Sequence, residues 1–339
     1  LLKGMGIGEL ITIPFNKDFS NLTTREFLKD WLKDKYNISS LIIGYDHRVG
    51  HDAMSQQEMI ALAQEIGIKV YRVDEFIMDD NIISSTKIRN LLLGGNIEKA
   101  NEFLGYRYGL KGVVVSGQKV GRTIGFPTAN MKLYEPLKLV PADGVYSTLV
   151  EVFGKTYIGI CNIGTRPTVG DNNERTIETH ILDFDEYIYG LDLKIEFVGC
   201  IRGEQKFPSL EALKEQLHRD KEYARVCKEY ELRTENSIEL MEAYLEQYPD
   251  SRHTNRVESM MASLYFEEGK YLEAIALYRS CNLDALADKE RDDAVLKLAT
   301  SYLKTGNLEE ATVWFNLLKD VSKTHRADAI YNLGYIDYV

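Results

Sequence analysis

Ser116-Gly-Gln-Lys-Val-Gly-Arg-Thr-Ile-Gly-Phe-Pro-Thr-Ala-Asn130 is the stretch on which the reading of this chain turns. It follows Gly112-Val-Val-Val115, so a glycine-rich turn comes directly after a β-branched run that reads as a strand. Gly117, Gly121 and Gly125 recur every four residues, with Lys119 and Arg122 between them. Glycines let backbone N–H groups approach an anion closely and the two cations add charge, which suits a phosphate cradle. On spacing alone a plain β-turn explains the glycines equally well, and the register does not fit a Walker A loop. The next residues add to the reading. Gly125 and Phe126 lead into Pro127, which stiffens the backbone ahead of Thr128. The Thr128 hydroxyl and the Asn130 amide are then hard oxygen ligands two residues apart, a pair suited to Mg²⁺ bridging nucleotide phosphates.

Working outward, Tyr108–Val115, Gly144–Phe153, Lys155–Ile163, Ile177–Phe184 and Leu191–Cys200 read as five successive strands with turn residues between them. That spacing predicts an antiparallel barrel, with a sixth strand expected near Lys138–Val140. Ser209 is placed to cap a helix carrying Leu210, Leu213, Leu217 and Tyr223. Within Thr176-Ile-Glu-Thr-His-Ile-Leu-Asp183, strand alternation puts Glu178 and His180 on one face and Ile177, Thr179 and Ile181 on the other. Phosphoryl transfer to an alcohol uses a carboxylate near the attacking hydroxyl, although a strand glutamate taken by itself is more often plain surface.

Toward the N-terminus, Leu10–Ile13, Leu41–Ile43 and Ile68–Val73 are short β-branched runs. Two helical patterns lie between them, opening with the capping boxes Thr23-x-x-Glu26 and Ser55-x-x-Glu58. The alternation predicts a parallel sheet of Rossmann type. Gly44-Tyr-Asp-His-Arg-Val-Gly50, which contains Asp46, follows a strand, where open α/β sheets bind ligands. Ser84-Ser-Thr-Lys-Ile-Arg89 opens a helix, where Ser84, Ser85, Thr86 and Arg89 could meet a phosphate at free backbone N–H groups. A polar loop and an ordinary N-cap are the bland alternatives. His47 and His51 lie in a glycine-bounded loop and read as solvated rather than metal-binding.

From Asn236 onward the pattern is helical throughout. Leu264-Tyr-Phe-Glu-Glu-Gly-Lys-Tyr-Leu-Glu-Ala274 realigns with Ser301-Tyr-Leu-Lys-Thr-Gly-Asn-Leu-Glu-Glu-Ala311, and Gly269 and Gly306 stand 37 residues apart. That is close to the roughly 34-residue tetratricopeptide period. Small residues at 262, 274, 299 and 311 suit stacked helix pairs.

Gly-Arg-Thr-Ile-Gly-Phe-Pro-Thr-Ala-Asn resembles the signature of the kinase half of the bacterial bifunctional riboflavin kinase/FAD synthetase family, a likeness running from about Leu10 to Tyr223. The resemblance implies that ATP meets Gly117, Lys119, Gly121, Arg122, Gly125, Phe126, Pro127, Thr128 and Asn130. It further implies that Thr128 and Asn130 hold Mg²⁺ and that Glu178, in a Glu-x-His-x-x-Asp-Phe segment, is the base. Arg202, in Ile201–Phe207, would be a flavin contact, although Gly203 stands where the family has an aspartate. Asn162–Thr168 would shape the wall beside the nucleotide. Asp46 and the Ser84–Arg89 segment resemble the nucleotide-binding parts of the family's FMN adenylyltransferase half.

The expected architecture is therefore multidomain α+β. A truncated Rossmann-like nucleotidyltransferase α/β domain occupies 1–105, an antiparallel riboflavin kinase barrel 106–225, and a tetratricopeptide-like α-helical solenoid 236–339. The chain starts at Leu1 and stops at Val339 within a helical pattern, so it reads as a fragment at both ends. The family's His-x-Gly-His motif belongs upstream of Leu1, and adenylyl transfer is accordingly expected to be impaired. ATP and riboflavin, giving FMN, are the expected substrates. The rival reading is a non-catalytic interaction protein whose repeats bind a protein or peptide.

The totals agree with a 339-residue protein of ordinary composition, 44% hydrophobic and 27% charged. The formal charge of −11 argues against nonspecific nucleic-acid binding. No apolar run approaches a membrane span, and no signal peptide is visible. Four cysteines without a C-x-x-C spacing suggest reduced thiols and a cytoplasmic setting.

Overall fold

The structure is a computed structural model describing residues 5–78, 81–117, 120–166 and 174–338. The chain divides into two units between Ile83 and Ser84.

In the first unit, α1 (Lys17–Ser20) and α2 (Thr24–Glu26) lead into π-helical turns over Phe27–Lys35. The Thr23 hydroxyl accepts the Glu26 N–H while the Glu26 carboxylate accepts the Thr23 N–H, the reciprocal cap that the sequence predicts. Ser55 and Glu58 repeat this ahead of α3 (Gln56–Glu65). Strands β1 (Ser40–Ile43) and β2 (Lys69–Arg72) are parallel, and α3 supplies the crossover that parallel pairing requires. Leu28, Ile43, Met59, Leu62, Ala63 and Ile68 form the core. A short antiparallel pair, β3 (Ile77–Met78) and β4 (Asn81–Ile82), follows. The expected strand at Leu10–Ile13 does not form. Leu10 is 65% exposed and the run pairs with no ladder, because β-propensity organises a strand only where a partner edge and a packed face are available.

The second unit opens with α4 (Ser85–Leu93) and α5 (Ile97–Leu104). Its centre is a closed six-stranded barrel ordered β10-β5-β6-β9-β8-β7. The strands are β5 (Gly109–Val115), β6 (Ala129–Leu133), β7 (Gly144–Val152), β8 (Lys155–Arg166), β9 (Glu174–Ile181) and β10 (Asp192–Arg202), and every neighbouring pair is antiparallel. Five agree with the sequence reading. The sixth lies elsewhere than expected: it is β6, inside the signature itself, and not Lys138–Val140. Ala129 and Met131 point into the barrel, an alternation only five residues long and masked by the preceding Gly-Phe-Pro-Thr. Leu139 and Val140 are apolar because they pack on the barrel core from a loop, where the Leu139 carbonyl accepts the Tyr108 hydroxyl at 2.7 Å.

Residues 84–105, grouped by sequence with the first domain, lie in the second unit. Leu92, Ile97 and Ala100 are buried in the same core as Leu110, Val150 and Ile195 of the barrel. After the short α6 (Val120–Thr123) and the last strand comes α7 (Leu210–Leu232), capped by the Ser209 hydroxyl, which accepts the Ala212 N–H at 3.1 Å. It runs unbroken for 23 residues to Leu232, with Arg233 as its left-handed C-cap. Helices α8 (Ser237–Gln247), α9 (Thr254–Glu267), α10 (Tyr271–Ser280), α11 (Asp288–Lys304), α12 (Leu308–Val321) and α13 (Arg326–Tyr338) follow, each packed on the next. Val145, Ile160 and Ile201 of the barrel share a core with Tyr223 and Val226 of α7, Met241 of α8 and Val257 of α9. The helices are thereby fastened to the barrel through α7.

Candidate active site

The barrel register builds a polar row. Glu178 on β9 stands opposite Asn130 on β6 and opposite Asn162 on β8. Residues directly opposite in antiparallel strands project to the same face, so three polar side chains line up across β6, β9 and β8. One position along β9, Thr179 stands opposite Ala129 and Cys161, and all three are buried in the barrel. Burial pushes the Cys161 thiol up to about 12, which removes it as a nucleophile at neutral pH. The Thr128 hydroxyl donates to the Glu178 carboxylate at 3.3 Å. Thr128, Asn130 and Glu178, separated by up to fifty residues in sequence, thus meet at one edge of the barrel.

The glycine stretch wraps this edge by close backbone approach. A Cβ at Gly117 would overlap the Asn130 side-chain amide, and one at Gly121 would overlap the Phe126 carbonyl oxygen. The Phe126 N–H donates to the Gly121 carbonyl at 2.8 Å, and Gly125 takes a left-handed φ of +86° as the loop closes. Arg122 is exposed on this loop, and Lys119 lies outside the described residues. Phe126 itself is buried with its ring edge-on to His180 of β9 (centroids 5.1 Å apart) and His218 of α7 (5.0 Å). His180 Nδ1 lies 2.8 Å from the Pro127 carbonyl oxygen, and burial holds this imidazole below the usual histidine pKa.

Beside Thr128 opens a cleft of about 420 Å³, lined on one side by Arg122, Pro127 and Thr128. Its other side is Phe184–Tyr189, the segment after β9, where Tyr187 and Tyr189 meet edge-to-face. Sequence reasoning assigned no role to this segment or to His218. A mixed acidic and aromatic run between two strands reads as a turn, and only barrel closure brings it to the cleft.

Other residues singled out by sequence are placed elsewhere. Arg202 does not line the cleft: its Nε donates to Asp220 Oδ2 at 2.9 Å, with side chains 7% and 1% exposed, and the Gln216 amide donates to Asp220 Oδ1 at 2.8 Å. Arg202 thus forms a buried clasp between β10 and α7. Asn162 is exposed in the row beside Glu178, while Pro167 and Thr168 lie outside the described residues. Ser84 caps α4 by accepting the Lys87 N–H at 3.3 Å, and the Ser85 hydroxyl accepts from Arg89 at 3.4 Å, with Thr86 exposed beside them. Asp46 is exposed in the first unit, in a loop whose Gly44 carbonyl accepts the Gln56 amide at 2.9 Å.

The Thr128 hydroxyl and the Asn130 amide are oxygen donors of the kind a hard divalent cation takes, and a Cβ at Gly117 would overlap the Asn130 amide, so the loop can lie against it only as glycine. The residues present fit Mg²⁺.

Comparison with known proteins places the barrel and the first unit among known families. A riboflavin kinase family model matches residues 104–228, and an FAD synthetase model matches residues 1–87. The bifunctional riboflavin kinase/FMN adenylyltransferase of Bacillus subtilis (strain 168) is 35% identical over 225 residues, 66% of this chain and 71% of that protein. The protein of the same description from Escherichia coli (strain K12) is 36% identical over 224 residues, 65% and 70% of the two chains. A crystal structure described as a macrolide-efflux protein from Streptococcus pneumoniae is similar with a TM-score of 0.61 and 34% identity, covering 66% of this chain and 72% of that one. Among the described residues here, no helix is long and apolar enough to cross a membrane.

Proposed function

The chain belongs to the bifunctional riboflavin kinase/FMN adenylyltransferase family and carries its riboflavin kinase, and we propose that Glu178, Thr128 and Asn130 are the residues on which the transfer turns. The reaction moves the ATP γ-phosphate to the riboflavin 5′-hydroxyl, breaking its bond to the β-phosphate oxygen, and yields FMN and ADP. Glu178 accepts the hydroxyl proton as the new O–P bond forms. Thr128 and Asn130 would hold Mg²⁺, which would supply neutralisation of charge on the phosphates. The Gly117–Gly125 loop offers backbone N–H groups to the same phosphates and Arg122 adds a cation at the rim. The cleft between Pro127–Thr128 and Phe184–Tyr189 receives a planar ring, with the tyrosines as one wall. The observation that supports this reading most directly is the Thr128–Glu178 contact at 3.3 Å, inside the segment matched to riboflavin kinase.

Glu178→Gln tests it, because the shape is kept while the proton acceptor is lost. FMN formation should fall by roughly 10²-fold or more with riboflavin binding retained. A rate within a few-fold of the parent would remove Glu178 from the reaction.

We also propose that 236–339 is a tetratricopeptide-like array offering a surface to a protein or peptide. Its support is the pair of glycines in the inter-helix turns, Gly269 at φ +75° and Gly306 at φ +80°, with Ala262, Ala274, Ala299 and Ala311 all fully buried at the crossings. Asp46, in the segment matched to FAD synthetase, is proposed as a nucleotide contact of that unit, and the Ser84–Arg89 cap, taken by itself, as a phosphate contact.

A further inference from the structure

We propose that His180 is a positioning residue for the kinase, donating its Nδ1–H to the Pro127 carbonyl so that the turn carries Thr128 onto Glu178. This rests on the assignment of Thr128 and Glu178 above and goes beyond it, since His180 touches neither reactant in that scheme.

A carbonyl oxygen only accepts, so the 2.8 Å approach of Nδ1 requires the proton to sit on that nitrogen. The residue that receives it is the hinge of the signature. Pro127 has no N–H, so its carbonyl is the sole backbone polar group through which that residue can be tied down. Asn130 and Ala129, on its C-terminal side, are held in the β6–β9 ladder opposite Glu178 and Thr179. On its N-terminal side, Phe126 is closed back onto Gly121. Thr128 lies between these anchors with a side-chain bond to Glu178 that is long, at 3.3 Å. His180 is two residues beyond Glu178 on β9 and projects to the same face, so one strand carries both the base and the group that sets its partner. The imidazole is packed edge-on to Phe126, whose opposite neighbour is His218 of α7. The ring is therefore locked in orientation by packing, and its hydrogen bond is aimed at the one carbonyl that can turn Thr128. Displacements on the order of 1 Å at a reacting group can cost roughly 10²-fold in rate.

Asparagine and leucine have nearly the same shape, and an Asn amide nitrogen falls where Nδ1 of histidine lies, so the pair separates the hydrogen bond from the packing. Steady-state kinetics would be measured for His180→Leu and His180→Asn against the parent chain. The expected result is a kcat for His180→Leu reduced by roughly tenfold to a hundredfold with the riboflavin KM little moved, and recovery of most of that loss in His180→Asn. Equal losses in the two variants, or no loss in His180→Leu, would overturn the proposal. A readout independent of turnover comes from the imidazole ¹⁵N spectrum of the unmodified chain, which should place a proton on Nδ1 of His180. A proton on Nε2 alone would overturn the proposal even if neither variant folds. Full activity in Glu178→Gln would instead remove the assignment of the base, while the Leu/Asn contrast and the tautomer would still decide the role of His180.

Discussion

Thr128 has one hydroxyl and two claims on it, from Glu178 in the structure and from Mg²⁺ in the proposed reaction. Thr128→Ala removes both without disturbing the turn, since Pro127 and the β6 ladder remain. Contacts to charged groups contribute about 1.5–3 kcal/mol, so the MgATP affinity of the variant should fall roughly tenfold to a hundredfold. Titration with MgATP checks this, and an unchanged affinity would detach the Pro-Thr-Ala-Asn segment from the nucleotide. Thr128 could be singled out from the glycine-rich turn ahead of a hard-ligand pair, whereas Glu178 was singled out only through the family resemblance, because a strand glutamate by itself reads as surface. His218 was not legible, since one histidine on an amphipathic helix carries no mark of the ring it will pack against.

At the scale of elements, α7 matters more than its sequence suggests. It covers one side of the barrel, seals Phe126 through His218, and is clasped to β10 by Arg202 and Asp220. Burial pushes the Asp220 carboxyl up from its usual range, against the pull of the Arg202 guanidinium. Such a pair is costly to make and costlier to break, because the survivor is left buried and uncompensated. Asp220→Ala should lower folding stability by roughly 3–5 kcal/mol, read as a reduced denaturation midpoint, while replacing both partners with apolar residues should recover much of it. A midpoint unchanged in Asp220→Ala would mean that the clasp contributes nothing. In the sequence Arg202 reads as a flavin contact only through the family resemblance, and nothing local announces its pairing with Asp220. What moved it inside was the end of β10 meeting the middle of α7, a tertiary contact between positions 18 residues apart.

For the second unit as a whole, the barrel and the helices share a core in which Tyr223 of α7 stacks on His253, with ring centroids 3.7 Å apart. Burial, helped by the charges of Arg252 and Arg256, pushes the His253 pKa from 6.5 down to about 3. In the unfolded chain this imidazole takes a proton near 6.5, whereas in the folded chain it stays neutral until far lower pH. Between those limits the unfolded state binds more protons, so stability falls as pH drops below about 6.5, by at most about 1.4 kcal/mol per pH unit from this one group. Thermal unfolding of His253→Phe, which keeps the stack and removes the titration, should show a shallower decline between pH 6.5 and 4.5 than the parent. Parallel declines would exclude His253 as a source of the acid sensitivity.

The sequence by itself determined the local events. Both capping boxes, the Ser209 cap, five of the barrel strands and the helical texture after Asn236 are written in spacings of two to four residues, and near-neighbour sterics and hydrogen bonding suffice to produce them. It also carried the Pro-Thr-Ala-Asn pair of hard oxygen ligands after a glycine loop, a pattern that can be read without coordinates. Only the tertiary structure decided what has no local period. The sixth strand formed at Ala129–Leu133 because the open edges of β5 and β9 needed a ladder there, whereas Leu10–Ile13 had the propensity but packs no face against a core. The α4–α5 pair went to the barrel because Leu92, Ile97 and Ala100 found a core to enter. Barrel closure set Asn130 and Asn162 on either side of Glu178, because register, unlike propensity, is a property of two strands at once.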